Sequence, residues 1–233
     1  MTLRIDPRIF QKYPGLLVGT IVCRDLANGP APAALTAALR EAEGALRARI
    51  PDAEALKAHP NVVAWQAAHR AFGSNPNKFP PSVHALAKRV VNGRELPAIS
   101  ALVDAYNIVS LRHLLPVGGE DLGRCRGEIV LTFAEGGEAF TPLGEDGSAP
   151  PEAGEVIYRD EEGVLCRRFN WREAARTCLT DATTEAVLVI EALPPVTREE
   201  LAAALAELRQ LTGRFCGEGC RMTTLIHMNE GGS

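Results

Sequence analysis

Pro116 divides this chain into two textures, and that division restricts the fold more than any other feature. Before it, apolar residues recur at helical spacing in AALTAALREAEGALRARI, which follows Pro32 and is interrupted by Pro51. A second helix is expected from about Asn61 to Phe72, with Trp65 and Ala68 on its apolar side. The loop GSNPNKFPPS cannot continue that helix, and Pro81 with Ser82 starts another through SVHALAKRVV. Asn92-Gly93 stops it, and Pro97 opens a helix through AISALVDAYNIVSLRHLL. After the turn-like PVGGED the pattern becomes short β-prone runs, EIVLTF, EAFTPLG, EVIYRD, VLCRRF and AVLVIEAL, separated by Gly-Gly, Asp-Gly and Glu-Gly turns.

Helices followed by closely spaced strands predict an α+β fold, a mixed and mainly antiparallel sheet flanked by helices. GLLVGTIVCRDL, from Gly15 to Leu26, reads as one further buried strand ahead of the first helix. A last amphipathic helix, TREELAAALAELRQL, opens with Thr197 three residues before Glu200, the spacing of a capping box. The tail from Thr212 to Ser233 has no clear pattern. With no repeat and no long linker, residues 1–233 read as a single domain closed by the helix and tail at 197–233.

At 46% hydrophobic and 23% charged the chain can fill a core of its own. No apolar run approaches the roughly 20 residues that cross a bilayer. Arg4, Asp6 and Arg8 occupy the place where a secretory signal would be apolar, so a cytoplasmic location is expected. Of the six cysteines only Cys216 and Cys220 in FCGEGC are close in sequence, half a zinc site at best, and reduced structural thiols are the plainer reading. A net charge of −4 argues against a chain coated in nucleic acid. Between Val62 and Arg126, however, eight Lys or Arg face four acids, enough for one phosphate-contacting face or for an ordinary solvated helical surface.

The string SNPNKFPPSVHALAKRVVNGRELPAISALVDAYNIVSLRHLLPVGGEDL resembles the B3/B4 family, the editing module of phenylalanyl-tRNA synthetase beta chains. In that family a Pro-Ser-led helix leads into LP, a VD-x-x-N helix and a P-x-G/H-x-x-D turn. GEIVLTFAEGGEAFTPLGEDG and TTEAVLVIEAL resemble its later strands, so the likeness runs from about residue 71 to 193 of a free-standing member. The resemblance implies a mixed α/β fold and a pocket that hydrolyses a misattached amino acid. The partner it implies is the aminoacylated acceptor end of tRNA, with no DNA and no membrane involved. No cofactor is implied. The family's editing site uses a Thr-Asn pair, a His and a Glu. Asn107 takes the Asn position, Tyr106 replaces the Thr and Gly118 stands where the His belongs, while Glu173 is the nearest candidate for the Glu. These departures count against tyrosine as the substrate.

An aminoacyl ester is already activated, so its hydrolysis needs a positioned water, donors for the oxyanion and a selective pocket rather than a strong nucleophile. Asp104, Asn107 and Ser110 share one broad helix face. Asn107, Asp104 and Glu120 are therefore the candidate catalytic residues, although Asp104 and Asn107 would also serve to tie the helix to a loop. Tyr106, Ser110, Gly118, Gly119, Asn170, Arg172, Glu173, Thr183 and Thr184 are candidates for substrate binding. Glycines 118 and 119 would let backbone N–H groups approach a ligand, or merely make a tight turn. Arg172 suits a phosphate or carboxylate, or a salt bridge to Asp181 or near Glu173, and Trp171 reads as core rather than a stacking platform. Arg70, Asn75, Lys78, Ser82, Lys88 and Arg89 are candidates for contact with RNA. Glu120 with Asp121 is a weak metal signal, and no metal is expected. The histidines are scattered, and no GxSxG, P-loop or GxGxxG motif occurs. Two functions remain: a trans-acting deacylase of mischarged aminoacyl-tRNA, or a non-catalytic module that binds tRNA or an amino acid. Reuse of the pocket for an unrelated small molecule is a third.

Overall fold

The computed structural model of the chain describes residues 3–229, so the last four residues of the tail lie outside it. A short strand β1 (Leu3–Ile5) and helix α1 (Pro7–Lys12) precede β2 (Leu17–Arg24). Val18, Gly19, Thr20 and Ile21 of β2 are buried in succession, and Cys23 after them, which is why its sequence does not alternate between apolar and polar residues. Helix α2 (Ala33–Arg49) follows, then α3 (Ala53–Ala58), a turn-and-a-half that the sequence pattern did not reveal. Asp52 caps α3 by accepting from the Ala55 N–H at 2.8 Å. Helices α4 (Pro60–Ala71) and α5 (Ser82–Val91) flank the proline-rich loop as expected.

Helix α6 (Ala101–His113) starts four residues later than Pro97 suggests, because Ser100 is its cap and accepts from the Val103 N–H. It is apolar nearly all round, with ten of its residues buried, and forms the centre of the helical layer. Helix α4 contributes Trp65, whose ring meets Phe169 edge-on at 5.1 Å.

The remaining strands are β3 (Val117–Asp121), β4 (Ile129–Phe133), β5 (Val156–Arg159), β6 (Val164–Arg167), β7 (Arg172–Glu173) and β8 (Ala186–Ala192). Helix α7 (Arg198–Phe215) and strand β9 (Arg221–His227) close the chain. The Thr197–Glu200 capping box is present at the start of α7. Two sheets form rather than one. The first has the order β1-β4-β5-β6-β7 and is antiparallel except where β1 runs parallel to β4. The second, β3-β8-β2-β9, is antiparallel throughout. Helix α7 packs so closely on β2 that a Cβ at Gly19 would lie 2.6 Å from Leu205 Cδ1.

PVGGED, expected as a turn, is strand β3, with Gly118 opposite Val189 and Gly119 opposite Leu188. A Cβ at Gly119 would meet Leu188 Cδ2 at 2.8 Å, so glycine permits close strand packing there rather than a reversal of the chain. EAFTPLG forms no strand, only an isolated bridge from Pro142 to Ala174. No helix among the described residues is long and apolar enough to cross a membrane.

Candidate functional site

A cavity of about 60 Å³ opens between the two sheets. One wall is β3 with Val187, Val189 and Glu191 of β8; the other carries Ile129, Tyr158, Cys166 and Glu173, and Leu3 and Ser82 also line the cavity. Phe169 and Asn170 reach it because Arg168 and Phe169 both adopt left-handed backbone angles, φ 52° and 66°, between β6 and β7. That bend is pinned from below. Glu155, buried, accepts from Arg167 Nη2 at 2.6 Å and pairs with Arg168 Nη2 at 2.6 Å, while the Arg168 guanidinium lies 3.9 Å from the Phe79 ring centre.

Three glutamates line the cavity. Glu191 accepts from the Tyr158 hydroxyl at 2.5 Å and from Asn170 Nδ2 at 2.6 Å. Burial raises its carboxyl, the two donors pull it back, and it settles at about 7. Two donors occupy only half of a carboxylate's lone pairs, so Glu191 can still accept a proton from the cavity. Glu120 and Glu173 lie within hydrogen-bonding reach of each other, and both carboxyls are raised: Glu120 by burial and then by the Glu173 charge, Glu173 by burial. Like carboxylates this close titrate as a pair that retains one proton above the ordinary range. Cys166 is pushed up by burial and by all three glutamates, so it is no thiolate nucleophile.

Of the residues singled out from sequence, Gly118, Gly119, Glu120, Asn170, Glu173 and Ser82 meet at this cavity. Asn170 also holds the start of α5, its carbonyl accepting from the Ser82 N–H at 3.1 Å. Tyr106, half-buried on α6, lies close enough to Glu173 and Glu120 for their charges to add to the burial that raises its phenol. Asp104, Asn107 and Ser110 are buried on α6 but do not line the cavity. Asp104 Oδ1 accepts from the Ile99 N–H at 3.0 Å, and Ser110 donates to the Leu115 carbonyl at 2.7 Å. Thr183 donates to Asp121 Oδ2 at 2.7 Å, and Thr184 is exposed beside β8. Arg172 pairs with Glu145 at 3.6 Å, not with Asp181, and its guanidinium lies over Trp171. Trp171 is half-buried against Phe79 at 4.7 Å rather than in the core.

Arg70, Asn75 and Lys78 are exposed around the α4–α5 connection, and Lys88 and Arg89 are exposed on α5. Those two sit roughly 9 Å along the helix axis from Ser82 at the cavity. Among the described residues no group of His, Cys, Asp and Glu side chains is arranged to hold a metal ion. All six cysteines are free. Sequence reasoning missed Tyr158, Phe169, Cys166 and Glu191. Only Glu191 left a trace, as the one charge within AVLVIEAL.

Two stacked, mainly antiparallel sheets with a helical layer and an acidic cavity between them define an α+β protein with a built pocket. The chain belongs to the B3/4 domain family, whose pattern matches residues 64–217. Among solved structures it is similar to an N-terminal fragment of the phenylalanyl-tRNA synthetase beta-subunit from Pyrococcus horikoshii, at 11% identity and a TM-score of 0.50. That alignment covers 98% of this chain and 54% of the fragment, so the chain spans about half its length, and the likeness is one of fold. No curated protein matches.

Proposed function

We propose that this chain hydrolyses the ester of mischarged aminoacyl-tRNA, with the amino acid lodged between the two sheets. The observation that carries this reading is Glu191, a buried carboxyl facing the cavity and titrating at about 7. A general base works best when its pKa lies near the operating pH. Glu191 takes a proton from water as the water oxygen bonds to the ester carbonyl carbon. The bond from that carbon to the ribose oxygen then breaks, and the ribose oxygen takes up a proton. Tyr158 and Asn170 orient the base, and the Ser82 hydroxyl at the cavity edge supplies a donor for the oxyanion. Family membership and the synthetase-like fold support tRNA as the carrier of the ester. The exposed Arg70, Lys78, Lys88 and Arg89 would meet its phosphates. Glu120 remains a catalytic candidate by its place beside Glu173, whereas Asn107 and Asp104 on α6 do not line the cavity.

The test follows release of labelled amino acid from a panel of correctly and incorrectly charged tRNAs. Selective release from a mischarged pair is expected, with a rate that rises with pH and levels off near 7. Glu191→Gln should slow it at least about 100-fold. No release across the panel by folded protein, or an unaffected Glu191→Gln rate, overturns the reading; tRNA binding without release would identify a binding module.

A further inference from the structure

We propose that the Glu120–Glu173 pair is the seat of a primary ammonium group, so that the cavity takes aminoacyl groups with a free α-amine and excludes N-acylated ones. The inference rests on the deacylase reading and names the substrate class that its cavity accepts.

Three other buried carboxylates are held by arginines, whereas Asp104, also buried, accepts from the Ile99 N–H instead. Glu43 is paired with Arg40 at 2.7 Å, Asp160 with Arg176 at 2.7 Å, and Glu155 with both Arg167 and Arg168 at 2.6 Å. Each of these three has a guanidinium beside it, which compensates the burial of its charge. The glutamates at the cavity have none. Glu120 is only 6% exposed, and its Oε2 has no hydrogen-bond partner in the protein. Glu173 Oε2 is likewise buried without one. The retained proton is one donor between them; once both are ionised they are acceptors only and call for another donor in its place.

The surroundings offer no cation. Strand β3 presents two glycines, β6 presents Cys166, β5 presents Tyr158, β8 presents Glu191 and α6 presents Tyr106; Thr177 and Cys125 complete the set that bears on the pair. Of these groups, every titratable one is neutral or negative when it titrates. An ammonium group brings three N–H donors and the missing positive charge. It would bond to Glu120 and Glu173, and the aliphatic remainder of the ligand would lie against Val187, Val189 and Phe169. Gly118 matters to this arrangement, since a Cβ there would lie 3.0 Å from Glu173 Oε1 and crowd the seat. An N-acylated amine is uncharged, has a single N–H and carries extra bulk. It satisfies neither the charge nor the geometry.

Two raised carboxyls hold a proton between them that an incoming ammonium replaces, so binding should release up to about one proton near neutral pH. Amino-acid amides carry the free amine without an ester, which separates binding from turnover. Glycinamide, L-alaninamide, L-leucinamide, L-phenylalaninamide and L-tyrosinamide, each beside its N-acetyl form, would be titrated calorimetrically into the full chain at pH 7. Two buffers of different ionisation enthalpy report the protons. At least one amide is expected to bind at least about 10-fold more tightly than its N-acetyl form, with proton release. Glu120→Gln, and separately Glu173→Gln, should lose that margin and the released proton while circular dichroism shows a native fold. Equal binding of the N-acetyl forms, or no amide bound at all, overturns the seat. Aminoacyl-tRNA and N-acetylaminoacyl-tRNA are then compared for hydrolysis. Equal hydrolysis of both overturns the ammonium seat and leaves the deacylase reading intact, whereas amide binding with proton release but no hydrolysis supports the seat and overturns the deacylase.

Discussion

Replacing Glu191 with Gln should remove a defined part of the pH dependence of stability. In the folded chain Glu191 holds its proton up to about pH 7, against an ordinary value of 4.5. Its protonated form is therefore favoured by folding: the contribution is complete below pH 4.5 and is lost as pH rises through 7. At about 1.4 kcal/mol per pH unit, the gap amounts to roughly 3 kcal/mol. Glu191→Gln keeps the local bonding, because the amide oxygen accepts from Asn170 and the amide N–H donates to the Tyr158 oxygen, but it cannot titrate. Urea unfolding followed by circular dichroism, in half-unit steps from pH 4.5 to 8, measures both proteins under identical conditions. The difference in unfolding free energy should shift by about 3 kcal/mol in favour of the variant over that range. Glu120 and Glu173 titrate in both proteins, so their effect largely cancels in the difference. A difference that stays flat to within about 1 kcal/mol would refute the reasoning, because Glu191 would then ionise alike in both states.

Other substitutions test the parts that shape the cavity. Glu155→Ala strands Arg167 and Arg168 in the interior and should cost about 3–5 kcal/mol in urea unfolding. A loss below about 1 kcal/mol would mean that the bend before Asn170 is held by something else. Gly119→Ala places a methyl 2.8 Å from Leu188 Cδ2 and 2.9 Å from the Val187 carbonyl, so a destabilisation of about 1–3 kcal/mol is expected in thermal unfolding. Lys78→Ala and Arg89→Ala alter exposed side chains and should leave stability within about 0.5 kcal/mol. Each should weaken tRNA binding and reduce its salt dependence in a filter-binding series, and unchanged slopes would remove both from the RNA face.

The helices and the buried strand β2 were readable because their periodicity reports burial directly: α4, α5 and α7 fall where apolar spacing and capping residues place them. The short α3 was not, since six residues give too little periodicity to register. Pro97 misled about the start of α6 because Ser100, three residues later, makes the capping bond. The glycines of PVGGED suggested a turn because chain reversal is glycine's commoner use, whereas β3 uses them for close packing and for room beside Glu173. The cavity was only partly legible. Glu120, Glu173 and Asn170 were singled out, but Glu191 and Tyr158, 33 residues apart, become partners only when the two sheets stack. Asp104, Asn107 and Ser110 share a helix face, yet α6 is buried over most of its surface, so sharing a face did not bring them to the cavity.

The second sheet has a further consequence. Residues 64–217 carry the family likeness, but β2 and β9 lie outside that span and supply two of the sheet's four strands. Leu3, which lines the cavity, lies outside that span as well. Cut to the recognisable segment, the protein would leave the seven positions of β8 from Ala186 to Ala192 without the neighbour that β2 provides, and a bare apolar strand edge invites association with other chains. The stretch that matches the family pattern is thus smaller than the sheet it belongs to, and the pattern and the sheet draw their borders in different places.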